Sequence, residues 1–328
     1  MDTAASDRSF LVCPTIVRRV SLIALIATYL LVVLGSTVRV THSGMGCRSW
    51  PLCNGHLAPI DNFHSAMEQF HRYIAAIVSV LVFYTGYLAW RHARHLRSVF
   101  VPALISCGII LVQVVLGAIT VLTHNAPITV GMHLVTGLIE LGIVTVVATA
   151  AFIAPTRATG GPTHTTDSYM LRLAITGVLA TLAIIITGAF VVDSGAAKAC
   201  PGWPVCSFNA APARLIVAQF LHRGMVAIGG LAIAVVLLRA WRNWRSLGAG
   251  PLIVFDATMF LVQVVAGAFS AVLKAPPGVQ DLHLAIGAIF WMGMVALATF
   301  GWVHKPDHNG INGSPDIHVD VPAPRSSP

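Results

Sequence analysis

Long apolar runs separated by short polar stretches occupy most of the chain. Eight of the runs are long enough to cross a hydrocarbon core about 30 Å thick, which takes roughly 20 helical residues. The first run is long and is not followed closely by a small-residue cleavage site, so we expect a retained helix rather than a signal peptide. The predicted transmembrane segments lie near 17–38, 67–90, 99–122, 128–152, 169–192, 214–238, 250–273 and 279–303.

Composition places the chain in a bilayer. Hydrophobic residues make up 56% of it and charged residues only 10%, with a mean hydropathy of +0.80. Such values lie far outside the range of soluble domains and predict an all-α integral membrane protein surrounded by lipid. The formal net charge is +8, but no basic run is interleaved with exposed aromatic residues, so we expect no nucleic-acid partner.

The basic residues predict how the chain is oriented. Most arginines and lysines lie in the N-terminal tail (1–16), in alternate loops such as that of Arg91, Arg94 and Arg97, and in the tail 304–328. By the positive-inside tendency these parts face the cytoplasm, which puts both termini inside (N-in/C-in). The tail 304–328, which is rich in Pro, Gly, Asp and His, is predicted to be disordered.

The chain also repeats itself at a nearly constant interval. EQFHRYIAAI at 68–77 matches QFLHRGMVAI at 219–228, and QVVLGAIT at 113–120 matches QVVAGAFS at 263–270. The loop GMGCRSWPLCNG (the first Cys loop, 44–55) likewise matches AKACPGWPVCSF (the second Cys loop, 197–208). This pattern predicts two pseudo-repeated four-helix bundles, a first half (17–153) and a second half (169–303), joined by a linker at 154–168.

Both halves keep two histidines inside apolar helices. They are His71 and His133 in the first half and His222 and His283 in the second. Ionisable side chains are costly in a bilayer and mark functional sites by default, and a repeated pair favours ligation over isolated hydrogen-bonded core histidines. Two axial histidines suit a haem iron, whereas zinc takes three or four protein ligands.

Arginine follows the first histidine of each pair. Arg72 and Arg223 lie close to the predicted outer surface, where a guanidinium can pair with a haem propionate or can extend to lipid phosphates. The sequence favours neither role over the other.

These residues together carry a resemblance to a known family. The first half has an ExxHR motif and a second histidine two helices later, and the second half has QxxHR and a second histidine. A Cys-x5-Cys loop with Trp-Pro accompanies them. In this combination, residues 17–303 resemble the haem A synthase (CtaA/Cox15) family. The resemblance implies a membrane oxidoreductase that oxidises a ring methyl of haem O to a formyl group, giving haem A for a terminal cytochrome oxidase. It also implies a haem b cofactor on His222 and His283, and the substrate haem between His71 and His133.

Further partners follow from the same resemblance. We expect a haem O synthase to supply the substrate and a separate electron acceptor to take up the electrons. We expect the location to be a bacterial cell membrane rather than the mitochondrial inner membrane.

One acidic residue breaks the repeat beside the histidines. Glu68 lies one helical turn before His71, but Gln219 precedes His222. A carboxylate can take up protons from an oxidised methyl, so Glu68 is the candidate catalytic residue; a solvated, inert carboxylate at the interface is the alternative. Glu140, which corresponds to Phe290, is either a proton relay or a structural partner.

Four of the six cysteines lie in the two Cys loops, on the predicted oxidising side. Their spacing permits Cys47–Cys53 and Cys200–Cys206 disulfides, and cross-pairing stays open. We favour a structural clip over a redox role. Cys13 and Cys107 have no counterparts and are interpreted as single thiols.

Three other functions fit part of the pattern. A dihaem b-type electron-transfer protein with bis-histidine sites explains the histidines but not the contrast between Glu68 and Gln219. A membrane thiol-disulfide oxidoreductase gives the cysteines the main role and requires a quinone site that the sequence does not locate. A haem transporter is the third alternative.

Overall fold

The structure is a computed structural model that describes residues 13–57, 62–158, 167–205 and 211–305. The described residues form eight long helices, and their sole β pairing is an isolated bridge between Cys53 and His56. All eight helices are long and apolar enough to span a membrane, so the chain is an all-helical integral membrane protein, as predicted. The helices are α1 (Thr15–Val40), α2 (Phe63–His92), α3 (Arg97–Leu122), α4 (Pro127–Ala158), α5 (Ser168–Asp193), α6 (Ala213–Trp244), α7 (Gly250–Val272) and α8 (Pro277–Val303).

Several helices extend beyond the predicted segments, because polar residues continue them outside the apolar run. Helix α2 begins at Phe63 rather than near 67, since the Asn62 side chain accepts from the Ser65 N–H and the Ser65 hydroxyl accepts from the Asn62 N–H. Helix α6 continues to Trp244 rather than 238, and Gly248, with φ of 97°, follows shortly after it.

Helix α4 continues to Ala158, which is inside the predicted linker 154–168. Residues 159–166 of that linker, the N-terminal residues 1–12 and the tail from 306 onward lie outside the described residues. The predicted disorder of the tail, and the orientation of both termini, therefore stay predictions.

Each half packs as a ring of four helices. In the first half α1 contacts α2 and α4, and α3 contacts α2 and α4; in the second half the same contacts join α5–α8. Between the halves, α8 packs on α4 and α1, and α5 packs on α4. This pattern is unchanged when α1–α4 are exchanged with α5–α8, which is the arrangement that a duplicated unit would give.

The two halves meet in a buried core between α4 and α8. The Trp291 indole N–H donates to the carbonyl of Leu138 at 2.8 Å, and the indole ring packs on Gly142. Nearer the Cys loops, the Ser36 hydroxyl donates to Asp281 at 2.6 Å, and Arg39 forms an ion pair with Asp193. Because each contact joins one half to the other, the walls of a site in one half can include residues from the other half.

Candidate functional site

The four intramembrane histidines form two pairs, one in each half. His71 on α2 and His133 on α4 line the same cavity, and His222 on α6 lies close enough to His283 on α8 for their charges to interact. The structure therefore brings together the residues that the sequence paired. One member of each pair lies on the second helix of its half and the other on the fourth.

A glycine on a neighbouring helix lies against each imidazole. A Cβ atom added at Gly35 would lie 3.2 Å from Cε1 of His71, and one at Gly188 would lie 3.1 Å from Cε1 of His222. Similarly, an added Cβ atom at Gly117 would lie 3.4 Å from Cε1 of His133, and one at Gly267 would lie 3.0 Å from Cε1 of His283. Gly117 and Gly267 lie in matched segments of the repeat, but a sequence match does not show which side chain a glycine faces, so no role was predicted for any of the four glycines.

The Nδ1 atoms of the four histidines differ in their hydrogen-bond contacts. Nδ1 of His222 lies 3.1 Å from the Thr187 hydroxyl. Among the described residues, Nδ1 of His71, His133 and His283 is buried without a hydrogen-bond partner. Buried polar atoms of this kind require a partner, which a bound group or water would supply.

A glutamine accompanies the histidine of α4 and of α8. The Gln113 amide donates to the carbonyl of His133 at 2.9 Å and packs on Gly137. In the second half, Nε2 of Gln263 lies 3.4 Å from Nε2 of His283, and the amide packs on Gly287. The features that the two halves share, namely glycine, histidine and glutamine, are the ones expected if both sites hold the same macrocycle.

These residues fit a haem with two axial histidines. The glycines leave room for each imidazole to lie directly against a helix, and Nδ1 of three of the four imidazoles is buried without a hydrogen-bond partner among the described residues. Within the described ranges, no three His, Cys, Asp or Glu side chains gather as a metal site. An iron held by two histidines would therefore take its remaining ligands from a macrocycle, as haem iron does.

The first half encloses a cavity of about 1080 Å³ between α1, α2, α3 and α4. This exceeds the range of about 300–1,000 Å³ that is usual for small-molecule sites. The second half contributes part of the outer wall through Asp193, Lys198 and Gln280. The sequence-predicted residues that line the cavity are Glu68, His71, Arg72, His133 and Glu140.

Glu68 is buried at the wall of this cavity, where it also anchors the first Cys loop. Its Oε2 accepts the backbone N–H of Cys47 at 2.8 Å, and its Oε1 accepts from the Arg72 guanidinium at 2.6 Å. In the second half the Gln219 amide instead donates to the carbonyl of Ala196 at 2.8 Å. Both side chains therefore connect a helix to a loop, but only Glu68 brings a negative charge to its site.

Arg72 and Arg223 bind the loops in matching ways. Arg72 donates to the carbonyls of Cys47 and Pro51 at 3.2 Å each, and Arg223 donates to those of Cys200 and Pro204 at 2.9 Å each. The peptide bonds Trp50–Pro51 and Trp203–Pro204 are both cis. The structure thus gives each arginine a loop-holding role, and the predicted pairing with propionates stays a prediction.

The first Cys loop contains a disulfide between Cys47 and Cys53. Cys200 is also disulfide-bonded, but Cys206 lies outside the described residues, so the Cys200–Cys206 pairing stays a prediction. Cys13 and Cys107 are free thiols. Burial raises the pKa of the Cys13 thiol to about 11, which keeps it protonated and unreactive near neutral pH.

Each half also contains a buried carboxyl group inside its helices, Glu140 in the first half and Asp256 in the second. Oε1 of Glu140 lies 2.5 Å from the Ser106 hydroxyl, and Oε2 has no partner among the described residues. Asp256, which was not predicted as a site residue, is fully buried at the position matching Ser106, and neither of its oxygens has a described partner. The available signal was an aspartate inside the apolar segment VFDATMF.

Comparison with known proteins identifies the family of the chain. The chain is 30% identical over 247 residues to the Heme A synthase of Geobacillus thermodenitrificans, which covers 71% of this chain and 75% of the relative. It is 28% identical over 269 residues to the Heme A synthase of Staphylococcus haemolyticus, covering 80% and 87%. The model of the COX15-CtaA family, described as cytochrome oxidase assembly protein, matches residues 18–295. With that match spanning most of its length, the chain belongs to the COX15-CtaA family.

Proposed function

We propose that this chain is a haem A synthase, which oxidises a ring methyl of haem O to the formyl group of haem A. The observation that carries the proposal is the histidine pair His71 and His133, which lines a large cavity together with a carboxylate, Glu68. Family membership and the names of the relatives support the same activity. None of the three alternatives, namely a dihaem electron-transfer protein, a thiol-disulfide oxidoreductase and a haem transporter, receives support from them.

The proposal divides the work between the two halves. The first half binds the substrate haem O between His71 and His133, next to its carboxylate. The second half holds haem b on His222 and His283, where the corresponding side chain is the neutral Gln219. A bis-histidine haem b supplies one-electron transfer when bound. The four glycines support both sites, since each leaves the space that an imidazole needs against the helix.

Glu68 is the proposed proton acceptor. Formally, a methyl group and one water give a formyl group, four protons and four electrons, and an apolar pocket disfavours protons that are released without a base. A carboxylate has about four acceptor positions; the Cys47 N–H and Arg72 donate to Glu68, and the backbone N–H of Gly46 also interacts with it. The rest are available to a proton or a water at the cavity wall.

The proposed setting is a bacterial cell membrane, because the relatives named above are bacterial proteins. A haem O synthase would deliver the substrate, and a membrane electron acceptor would remove the electrons. Each partner is an expectation from the reaction, since haem O must be made first and the oxidation must pass its electrons on.

Pigment analysis tests the proposal. The chain is expressed in a bacterial host that makes haem O but no haem A, and the extracted haems are separated by reverse-phase chromatography. Haem A is expected with the wild-type chain and not with His71→Ala. If the host contains only haem O and haem b while the wild-type protein is present and folded, the proposed activity is wrong.

A further inference from the structure

The two halves differ at the deep end of their helix rings. In the first half, Ser79 on α2, Ile110 on α3 and Glu140 on α4 all line the cavity, and we name this region the deep arm. The repeat offsets of 151, 150 and 150 residues place Gly230, Phe260 and Phe290 at the matching positions. A small, an aliphatic and an acidic side chain are thus replaced by a glycine and two aromatic rings.

Those aromatic rings fill the corresponding region of the second half. The ring centroids of Phe260 and Phe290 lie 5.6 Å apart, and a Cβ atom on Gly230 would lie 2.9 Å from the Phe260 ring. Phe290 is 3% exposed and belongs to a continuous apolar core. The second half is therefore closed where the first half has space.

The deep arm is apolar apart from one carboxyl group. The Ser79 hydroxyl donates to the carbonyl of Ala75 on its own helix, and the hydroxyl of Thr28 on α1, which also lines the cavity, donates to that of Ala24. Glu140 is 1% exposed and holds Oε2 without a described partner, while Ser106 contacts its Oε1. Glu140 therefore lines the cavity with one carboxylate oxygen buried and without a hydrogen-bond partner among the described residues.

Glu140 lies well below the level of the histidines. It follows His133 by seven residues on the same helix, which is two turns or about 10 Å along the axis. A group that extends from the edge of a macrocycle between the histidines would enter the deep arm. Haem O carries such a group, since a hydroxylated isoprenoid tail distinguishes it from haem b.

We propose that the deep arm binds the isoprenoid tail of haem O and that Glu140 hydrogen-bonds the tail's hydroxyl, which makes Ile110 and Glu140 determinants of substrate choice. This inference rests on the proposed function. It also explains the aromatic rings of the second half, because Phe260 and Phe290 leave no room for a tail and so suit a haem without one. The shared Gln113 and Gln263 contribute nothing to the choice, since both halves have them.

The first experiment transfers the closed arrangement into the first half. Purified wild type and the Ile110→Phe/Glu140→Phe variant are incubated with equal amounts of haem O and haem b, and the bound haems are extracted and separated. We expect the variant to lose haem O while it gains or keeps haem b in excess of the one equivalent that the second half holds. Unchanged haem O binding would overturn the proposal, and so would equal loss of both haems from a folded variant.

A second experiment separates the hydroxyl contact from the space. Glu140→Leu removes the hydrogen bond at similar size, and Glu140→Gln keeps one. A site built to bind a hydroxyl strongly rejects analogues that lack the contact, so Glu140→Leu should reduce the preference for haem O over haem b about tenfold or more. Glu140→Gln should retain most of the preference.

The same samples separate this inference from the proposed function. If wild type converts haem O to haem A but Glu140→Leu keeps the wild-type preference, Glu140 does not recognise the tail and the enzyme assignment stands. If wild type makes no haem A, the assignment itself is wrong, and any preference between the haems then reports binding alone.

Discussion

The carboxylate of Glu68 accepts a hydrogen bond from the Arg72 guanidinium at 2.6 Å and another from the backbone N–H of Cys47. Arg72 in turn donates to carbonyls of the first Cys loop. The proposed base and the loop that covers the cavity are therefore part of one hydrogen-bond network. A change at Glu68 can affect both proton transfer and loop position, and its test must tell these effects apart.

Glu68→Gln is expected to preserve folding and haem binding but to lower haem A formation about 100-fold or more, because an amide cannot take up a proton. Haem O or a hydroxylated intermediate should accumulate. The matched control is Gln219→Glu, which should leave the first half unaffected. The role of base would be ruled out by near-normal conversion in Glu68→Gln, and attention would shift to Glu140.

Arg72→Gln tests the loop-holding role without removing the carboxylate. Loss of the guanidinium leaves the carbonyls of Cys47, Ser49 and Pro51 without their donor, so the first Cys loop should become accessible to limited proteolysis. The equivalent change in the second half, Arg223→Gln, should expose only the second Cys loop. Proteolysis patterns identical to wild type in both variants would show that the arginines do not hold the loops.

His222→Ala or His283→Ala is expected to remove the low-spin haem b spectrum, since each removes one axial ligand. His71→Ala or His133→Ala should instead stop haem A formation while haem b persists, because the two histidine pairs lie in separate halves. The absorption spectrum of the purified variants gives both results. Loss of all haem from folded His71→Ala protein would contradict two independent sites.

The glycines beside the imidazoles give a sharper test of the same sites. Gly35→Ala should displace His71 and weaken haem binding in the first half about tenfold, since over-packing costs about 1–3 kcal/mol. Gly188→Ala should act on the second half alone. Gly108→Ala is the matched control, because nothing lies within 4 Å of its added Cβ. Equal effects of Gly35→Ala and Gly108→Ala would show that the close contact is unimportant.

Reduction of the Cys47–Cys53 disulfide is expected to destabilise the first Cys loop by about 2 to 3 kcal/mol, as for a short closed loop. Non-reducing peptide mapping should recover this pair and the predicted Cys200–Cys206 pair. Full haem A formation by Cys47→Ser would agree with a structural clip. A reactive role would instead require that the variant lose activity while its thermal stability stays unchanged.

Much of the architecture could be predicted from the sequence, because apolar length and the repeat are strong signals. All eight segments are helices, and the four histidines pair as the repeat requires. The helix ends were less accurate, since caps such as Asn62 with Ser65 are polar and lie outside the apolar run. The start of α2 at Phe63 shows this difference.

The finer features of the site depend on contacts between helices, which a linear sequence does not display. Gly35 and Gly188 are two of many glycines in the chain, and only packing shows that they face His71 and His222. The contact between Ser106 and Glu140 also became apparent only in the folded chain. Asp256 carried a readable signal, as an acid within an apolar segment, but its match to Ser106 required the register of the repeat.

Mass spectrometry of haem recovered from the purified protein tests the central claim most directly. The protein is loaded with haem O, supplied with an electron acceptor under native membrane conditions, and its haems are extracted over time. We predict that haem O is replaced by a formyl-bearing haem, through an alcohol intermediate, in wild type and not in His133→Ala. If the haem O mass stays unchanged in folded wild-type protein that retains haem b, the chain is not a haem A synthase.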